Sequence, residues 1–456
     1  MSKLHNLKNK ATNIALKIKK IIDSKPKTFI ALAAVVSIFA YAPFSIWAIM
    51  FLSFILFNYL LNKAQTNKQK LGYFTLFAYL FNAVNLHWVG NSFLYGAPDP
   101  SLIYFMPILV AGMALILTLL YILLFVLFNK ITKDGIIKQI FLIPTVFLFA
   151  EFIRSLSVYG FPWNLVGYSI ASNDYLLQAS EISTILVCSF LVLIIATLIS
   201  TFKKKAVVAA AIIFVAWFSL GALRFETIDR SSVLDLSTQT KLIQVDITKH
   251  HGFDRVRMKK IFFKYLKQVQ KAKKDPTIKT IILPEMAVLY PINTEENLLK
   301  LLQKNIRKDQ VLITGAPAYN DYDVYNTMYY ISKTEYKRYD KKMLVPFGEF
   351  IPFRDVLPFV KNFTNNFKDF SVGYIDNTVS IEGKNFLSLI CYEAIFPFFV
   401  KERVHEQNTI LLNITNDAWF YGTVAPAQHA LIAKTRAVEN NLDMIRVANA
   451  GRSFIK

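Results

Sequence analysis

The sequence predicts a multi-span α-helical membrane domain followed by an α/β domain, and three observations carry that expectation. The 456-residue chain is 54% hydrophobic with a mean hydropathy of +0.36, more apolar than soluble proteins of this size usually are. Nearly all long apolar runs fall before about residue 222. After residue 223, short β-rich runs such as Lys241–Val245, Thr280–Leu283, Val311–Thr314 and Phe386–Cys391 alternate with amphipathic stretches at 255–272 and 295–307. The chain thus divides into a basic stretch at 1–27, a membrane part of about seven helices at 28–222, and a second domain at 223–456.

The spans are read from runs and loops together. A helix needs about 20 apolar residues to cross hydrocarbon, and spans are expected near 28–42, 45–62, 72–94, 102–128, 137–154, 180–201 and 206–222. The lysine-rich stretch 1–27 leads into an apolar run without a clean small-residue cleavage site, so it reads as the tail of a retained first span. Lys63, Lys68 and Lys70 follow the second span, Lys130, Lys133 and Lys138 the fourth, and Lys203, Lys204 and Lys205 the sixth. The alternate loops 95–101 and 155–179 contain no lysine or arginine. Under the positive-inside bias the basic loops face the cytoplasm, which leaves residue 223 onward outside.

The net charge of +21 would suit a nucleic-acid partner, but lysine gathered in a tail and short loops fits topology instead, so no nucleic-acid partner is expected. Of the two cysteines, Cys188 lies in an apolar run and Cys391 far from it, which argues against a disulfide framework. Glu151 and Arg154 sit at the end of a span; a charge there is a functional hypothesis by default, with a mutual pair or snorkelling as the plainer reading. The loop 155–179, which holds Trp163, reads as an interfacial anchor or as a lip guiding lipid or peptide to a site.

Three segments of the second domain look built for a reaction. Ile281-Ile282-Leu283-Pro284-Glu285 is an apolar strand ending in a carboxylate, and Leu387-Ser388-Leu389-Ile390-Cys391-Tyr392-Glu393 delivers a thiol at a strand end. Between them lies Tyr339-Asp340-Lys341-Lys342-Met343-Leu344-Val345-Pro346-Phe347-Gly348-Glu349. Singly, each has a bland reading: a capping carboxylate, a solvated lysine, a small core cysteine. Together they supply a base, a cation and a nucleophile near strand ends, where α/β folds gather active sites.

The ordered Glu, Lys, Cys set resembles the nitrilase superfamily, and the surrounding strings resemble its membrane branch, the apolipoprotein N-acyltransferase family. The matching pieces include His87-Trp88-Val89, Gly160-Phe161-Pro162-Trp163, Leu344-Val345-Pro346-Phe347-Gly348-Glu349, Cys391-Tyr392-Glu393 and Asn416-Asp417-Ala418-Trp419-Phe420. The resemblance runs from about residue 28 to the end and implies an αββα sandwich for the second domain. It implies Cys391 as nucleophile, Glu285 as general base and Lys341 as the cation, chosen over Lys342 because the family lysine stands eight residues before the Glu of the Pro-Phe-Gly-Glu string. Glu349, Tyr392, Glu393 and Trp419 are implied as supporting residues, Trp88 and Trp163 as lip candidates, and His429 as structural.

The same resemblance implies a reaction: an acyl chain passes from a phospholipid, phosphatidylethanolamine, through a Cys391 thioester to the α-amine of a diacylglyceryl-cysteine apolipoprotein. No metal and no cofactor are expected. The implied location is the bacterial cytoplasmic (inner) membrane, multi-pass, with the catalytic domain on the periplasmic side. Against family members, the match at Asn449-Ala450-Gly451 falls close to Lys456, so a chain truncated at its C-terminus is expected, with an inactive relative as one alternative. The other readings are a membrane-tethered amidase using water as acceptor and a transporter or receptor with an external sensor domain.

Overall fold

The computed structural model describes residues 13–14, 16–92, 104, 106–229, 231–245, 255–352, 369–375 and 379–456. The first twelve residues of the basic stretch and the expected outer loop 95–101, with the adjoining span ends at 93–94 and 102–103, lie outside the described residues.

Seven helices occupy the regions where spans are expected: α1 (Pro26–Val36), α2 (Ala48–Asn62), α3 (Asn67–Asn85), α4 (Met106–Ile131), α5 (Ile136–Arg154), α6 (Ile185–Ser200) and α7 (Lys204–Glu226). Local sequence sets their starts. Pro26 opens α1, where its missing N–H is one of the helix's unpaired donors anyway. The Thr66 hydroxyl caps α3 by accepting the N–H of Gln69 at 3.1 Å. Among the described residues, α4, α5 and α7 are long and apolar enough to cross a membrane; α1 with its 3₁₀ extension to Ala40, and α2, are apolar but shorter.

The span expected at 180–201 is corrected. Residues 174–182 form short helical turns bent 115° from α6, which begins only at Ile185. Polar groups fix that start: the Thr184 hydroxyl accepts the N–H of Leu186 at 3.3 Å, and the Glu439 carboxylate accepts that of Ile185 at 2.6 Å. On α4, Ile116 and Leu123 are 70% and 65% exposed, while Tyr121 and Phe125 are buried on the opposite side. Ile212 and Leu223 of α7 are exposed in the same way. A face of this kind belongs in hydrocarbon, since a soluble monomer rarely carries so continuous an apolar surface.

The second domain is a four-layer sandwich. One sheet orders β1 (Thr240–Leu242), β2 (Thr280–Ile282), β3 (Val311–Asn320), β4 (Asp323–Ile331) and β5 (Tyr336–Asp340). The other orders β10 (Phe454–Ile455), β9 (Asp443–Asn449), β8 (Asn408–Asn416), β7 (Lys384–Ile390) and β6 (Val379–Ile381). The two-residue side-chain period of a strand explains the layers. Ile282, Ile313, Met328, Ile390, Ile414 and Val447 meet between the sheets. Their neighbours Ile281, Leu283 and Leu312 face outward against Tyr265 and Val269 of α9 (Arg255–Lys273) and Leu302 of α10 (Glu296–Lys304), which follow α8 (Ser231–Gln239). Leu387, Leu389 and Leu411 face the other way, onto Val400 of α11 (Pro397–Arg403) and Ala433 and Ala437 of α12 (Ala425–Glu439). Strands buried on both faces read as near-continuous apolar runs, as Ile281–Leu283 does and as Leu387–Ile390 does apart from Ser388.

Helix α12 joins the two halves. Gln428 accepts from the Trp163 indole at 2.8 Å and donates to the Ala42 carbonyl at 3.2 Å. Arg436 donates to the Tyr168 hydroxyl at 3.0 Å, Lys434 pairs with Asp174, and Glu439 holds the start of α6. The apolar core of the membrane helices continues without a break into Tyr392, Ile395, Phe396 and Ile432.

Candidate active site

The strands end where chemistry can start. Glu285 follows β2, Lys341 follows β5 and Cys391 follows β7, so both sheets deliver side chains to one end of the sandwich. Cys391 opens a 3₁₀ turn, Cys391–Ile395, with φ 50°, and Met286 beside the glutamate has φ 53°. Non-glycine residues hold that left-handed conformation only where surrounding contacts demand it. Close packing does so at Glu285: a Cβ on Gly315 would lie 2.5 Å from the Met286 nitrogen and 2.6 Å from the Glu285 Cα.

The charged groups are buried together. Lys341 Nζ lies 2.9 Å from the Glu349 carboxylate and 3.4 Å from Glu285 Oε1, with Lys341 1%, Glu285 5% and Glu349 8% exposed. Asn326 Nδ2 donates to Glu285 Oε1 at 2.8 Å and to Glu349 Oε1 at 2.7 Å, which keeps two like charges side by side. The main-chain N–H of Asn416 serves Glu285 Oε2 at 2.7 Å, and that of Val345 serves Glu349 Oε2 at 2.8 Å. Each carboxylate oxygen is thereby satisfied, as buried charge requires.

Protonation follows from this arrangement. Burial disfavours the Lys341 ammonium, but Glu349 and Glu285 outweigh it and hold its pKa above the ordinary lysine value. Burial and then the Glu285 carboxylate push the Cys391 thiol well above its usual value, with Lys341 pulling the other way. Burial and the Glu285 carboxylate thus favour the protonated thiol of Cys391. Attack therefore needs a base that removes its proton as the bond forms.

The remaining site residues fall in distinct places. Glu393 is fully buried and accepts from the main chain of Ile390 at 2.7 Å, Lys342 at 2.7 Å and Met343 at 3.2 Å, and from the Tyr339 hydroxyl at 2.7 Å. It fastens the cysteine turn to the lysine loop. Tyr392 reaches the membrane domain, its hydroxyl donating to the Val158 carbonyl at 3.0 Å. Trp419 is 40% exposed on the turn Asp417–Phe420. His429 spans Asp417 Oδ1 at 2.8 Å and the Cys391 carbonyl at 3.2 Å; Arg446 holds the other Asp417 oxygen at 2.9 Å.

Trp88 and Trp163 differ from the lip expected of them. They are 2% and 4% exposed, with ring centres 4.5 Å apart, packed against Phe161, Phe420 and His429. Once the two halves dock, indoles that end a helix and start a loop become the seam between them. The sequence alone marked neither Asn326 nor Gly315, and it gave Asn416 only as part of a matching string. A polar Asn inside the apolar strand text Val324-Tyr325-Asn326-Thr327 was the available signal. Among the described residues, no group of three or more His, Cys, Asp or Glu is placed to hold a metal ion.

A four-layer sandwich with a Glu–Lys–Cys set at its strand ends, carried on apolar helices, defines a carbon-nitrogen hydrolase domain tethered to a membrane domain. Residues 253–455 match the carbon-nitrogen hydrolase family and residues 33–198 the apolipoprotein N-acyltransferase N-terminal domain. The chain belongs to the apolipoprotein N-acyltransferase family. A relative so named from Rhizobium rhizogenes (strain K84 / ATCC BAA-868) is 30% identical over 454 residues, 92% of this chain and 84% of that protein. Another, from Sinorhizobium fredii (strain NBRC 101917 / NGR234), is 29% identical over 95% of this chain and 86% of its own length. A third, from Rickettsia prowazekii (strain Madrid E), is 34% identical over 67% of this chain, and the match spans 63% of that relative.

Proposed function

We propose that this chain is a phospholipid:apolipoprotein N-acyltransferase working through a thioester on Cys391. The observation that carries the reading is the buried Glu285–Lys341–Glu349 cluster beside a cysteine at a strained strand end. Glu285 takes the thiol proton as sulfur attacks the ester carbonyl carbon of a phospholipid. The oxyanion forms beside the Lys341 ammonium, and the main-chain N–H of Tyr392 is its second donor; removing one such donor typically costs about 100-fold or more. Collapse breaks the ester bond, and the leaving lysophospholipid oxygen receives the proton from Glu285. The α-amine of a diacylglyceryl-cysteine then attacks the thioester carbonyl and Glu285 takes its proton; the C–S bond breaks, the amide forms, and Glu285 returns that proton to the departing sulfur to regenerate the thiol.

The membrane domain fits this scheme because both substrates are anchored in a bilayer. The lysine-bearing turns at Lys63–Lys70, Lys130–Lys138 and Lys203–Lys205, taken with the expected count of seven spans, support a catalytic domain on the periplasmic face of the bacterial inner membrane. Intact mass after incubation with phosphatidylethanolamine vesicles, beside Cys391→Ala, tests the reading. A hydroxylamine-sensitive acyl adduct on the wild type alone is the expected result. An inserted, folded sample that takes no acyl group, or one that releases only free fatty acid when acceptor is present, sinks it.

A further inference from the structure

Arg154 ends α5 and is 1% exposed. Among the described residues it forms no ion pair; the plain reading of a mutual pair with Glu151 does not hold. Its guanidinium donates instead to the carbonyls of Gly160 at 3.1 Å and Phe161 at 2.6 Å, to Asn164 Oδ1 at 2.7 Å and to the Tyr121 hydroxyl at 3.0 Å. Glu151, fully buried one turn earlier, accepts the N–H of Val166 at 2.7 Å. Residues three apart share one helix face, so one turn of α5 grips both ends of the segment 160–166.

That segment is held in a shape it would not keep alone. Phe161 has φ 47°, and a Cβ on Gly160 would lie 2.0 Å from the Arg154 carbonyl oxygen. Its far side is the seat of the cysteine turn. Phe161 stacks on Tyr392 with ring centres 6.2 Å apart, and the Val158 carbonyl accepts the Tyr392 hydroxyl at 3.0 Å. A fork of five donors on a planar cation can hold several carbonyls in fixed directions; the point charge of lysine cannot.

We propose that Arg154 is a positioning residue for the nucleophile: through the 158–164 loop it sets where Tyr392, and with it the turn at Cys391, rests against the membrane helices. This depends on the reading of Cys391 as nucleophile. Arg154 touches no reacting atom; it acts through Phe161, Val158 and Tyr392.

The test uses the full chain in lipid nanodiscs, with two readouts on Arg154→Lys, Tyr392→Phe and the double variant. One is the rate of acyl-enzyme formation from phosphatidylethanolamine. The other is iodoacetamide alkylation of Cys391, read by peptide mass so that buried Cys188 is scored apart. Each single variant is expected to slow acylation about tenfold with the apparent KM little changed, since sub-ångström misplacement of a reacting group is costly. The double variant is expected to be no slower than about threefold beyond the worse single one, because both cut the same chain of contacts. Independent effects that multiply to about 100-fold overturn the proposal, as does an Arg154→Lys rate within about threefold of wild type. Should Arg154→Lys fail to fold, Gly160→Ala displaces the same loop with the guanidinium retained, and a wild-type rate there also overturns it. If even the wild type takes no acyl group, the proposed function fails separately. Alkylation then decides alone: about tenfold slower in Arg154→Lys supports positioning, and an unchanged rate refutes it.

Discussion

The Glu393 carboxylate accepts the main-chain N–H of Lys342 at 2.7 Å, which ties the turn bearing Cys391 to the loop bearing Lys341. The same side chain takes three further donors, from Ile390, Met343 and Tyr339, so one buried carboxylate fixes the spacing of Cys391 and Lys341. Glu393→Gln places an amide among donors and leaves at least one buried N–H unpaired. Stability is expected to fall by about 2 kcal/mol and acylation by at least about tenfold. Urea denaturation and the acyl-adduct rate check both, and a variant as stable and as fast as wild type would remove this role.

Glu285 has two opposed effects on Cys391, and a single substitution separates them. Its charge is among the causes that raise the thiol's pKa, second to burial. Glu285→Gln is expected to shift the alkylation profile of Cys391 to lower pH while acylation falls by about 100-fold or more through loss of the base. Alkylation and acylation moving in the same direction would contradict the assignment of Glu285 as base.

Lys341 sits between two carboxylates that hold its pKa above the ordinary value of 10.5. A raised cationic pKa gives stabilisation that is complete below the unfolded value and is lost only as pH climbs through the folded one. Wild-type activity should therefore show no fall attributable to lysine deprotonation below pH 10.5. In Lys341→Met, Glu285 and Glu349 lose their shared cation, so one carboxyl should retain its proton toward neutral pH and the variant should be destabilised by about 3 kcal/mol. Thermal melts across pH, with the variant relatively firmer in acid, provide the measurement.

Gly315 is required by closeness. A methyl group there would stand 2.5 Å from the Met286 nitrogen, so Gly315→Ala must push the Glu285 turn away from the cluster. Acylation is expected to drop about tenfold or more while β3 stays paired with β2. A wild-type rate in Gly315→Ala would show that the turn can shift freely.

Much of this was legible in the residues. Apolar run length placed the helical half but not every helix end: α1 and α2 are shorter than the spans expected there, and a carboxylate on α12, distant in sequence, helps fix the start of α6 at Ile185. Alternating texture gave the layered half, although β3 runs on to Asn320, six residues beyond the expected end, because hairpin pairing with β4 extends it. Glu285, Lys341 and Cys391 stood out as strand-end chemistry. Asn326 did not, since an asparagine in a strand acquires a purpose only when two carboxylates arrive beside it.

By itself the sequence determined which parts meet lipid, which strands are buried on both faces and which titratable side chains stand at strand ends. These follow from local periodicity, run length and residue type, which any chain of this composition displays. The tertiary structure decided the rest. It turned Trp88 and Trp163 from a lip into a buried seam, aimed the Arg154 guanidinium at the 160–164 loop, and gave Glu393 its four donors. The Trp163–Gln428 contact spans 265 positions and the Glu393 contacts with the lysine loop span 50 and 51, and no local pattern encodes which surfaces will meet.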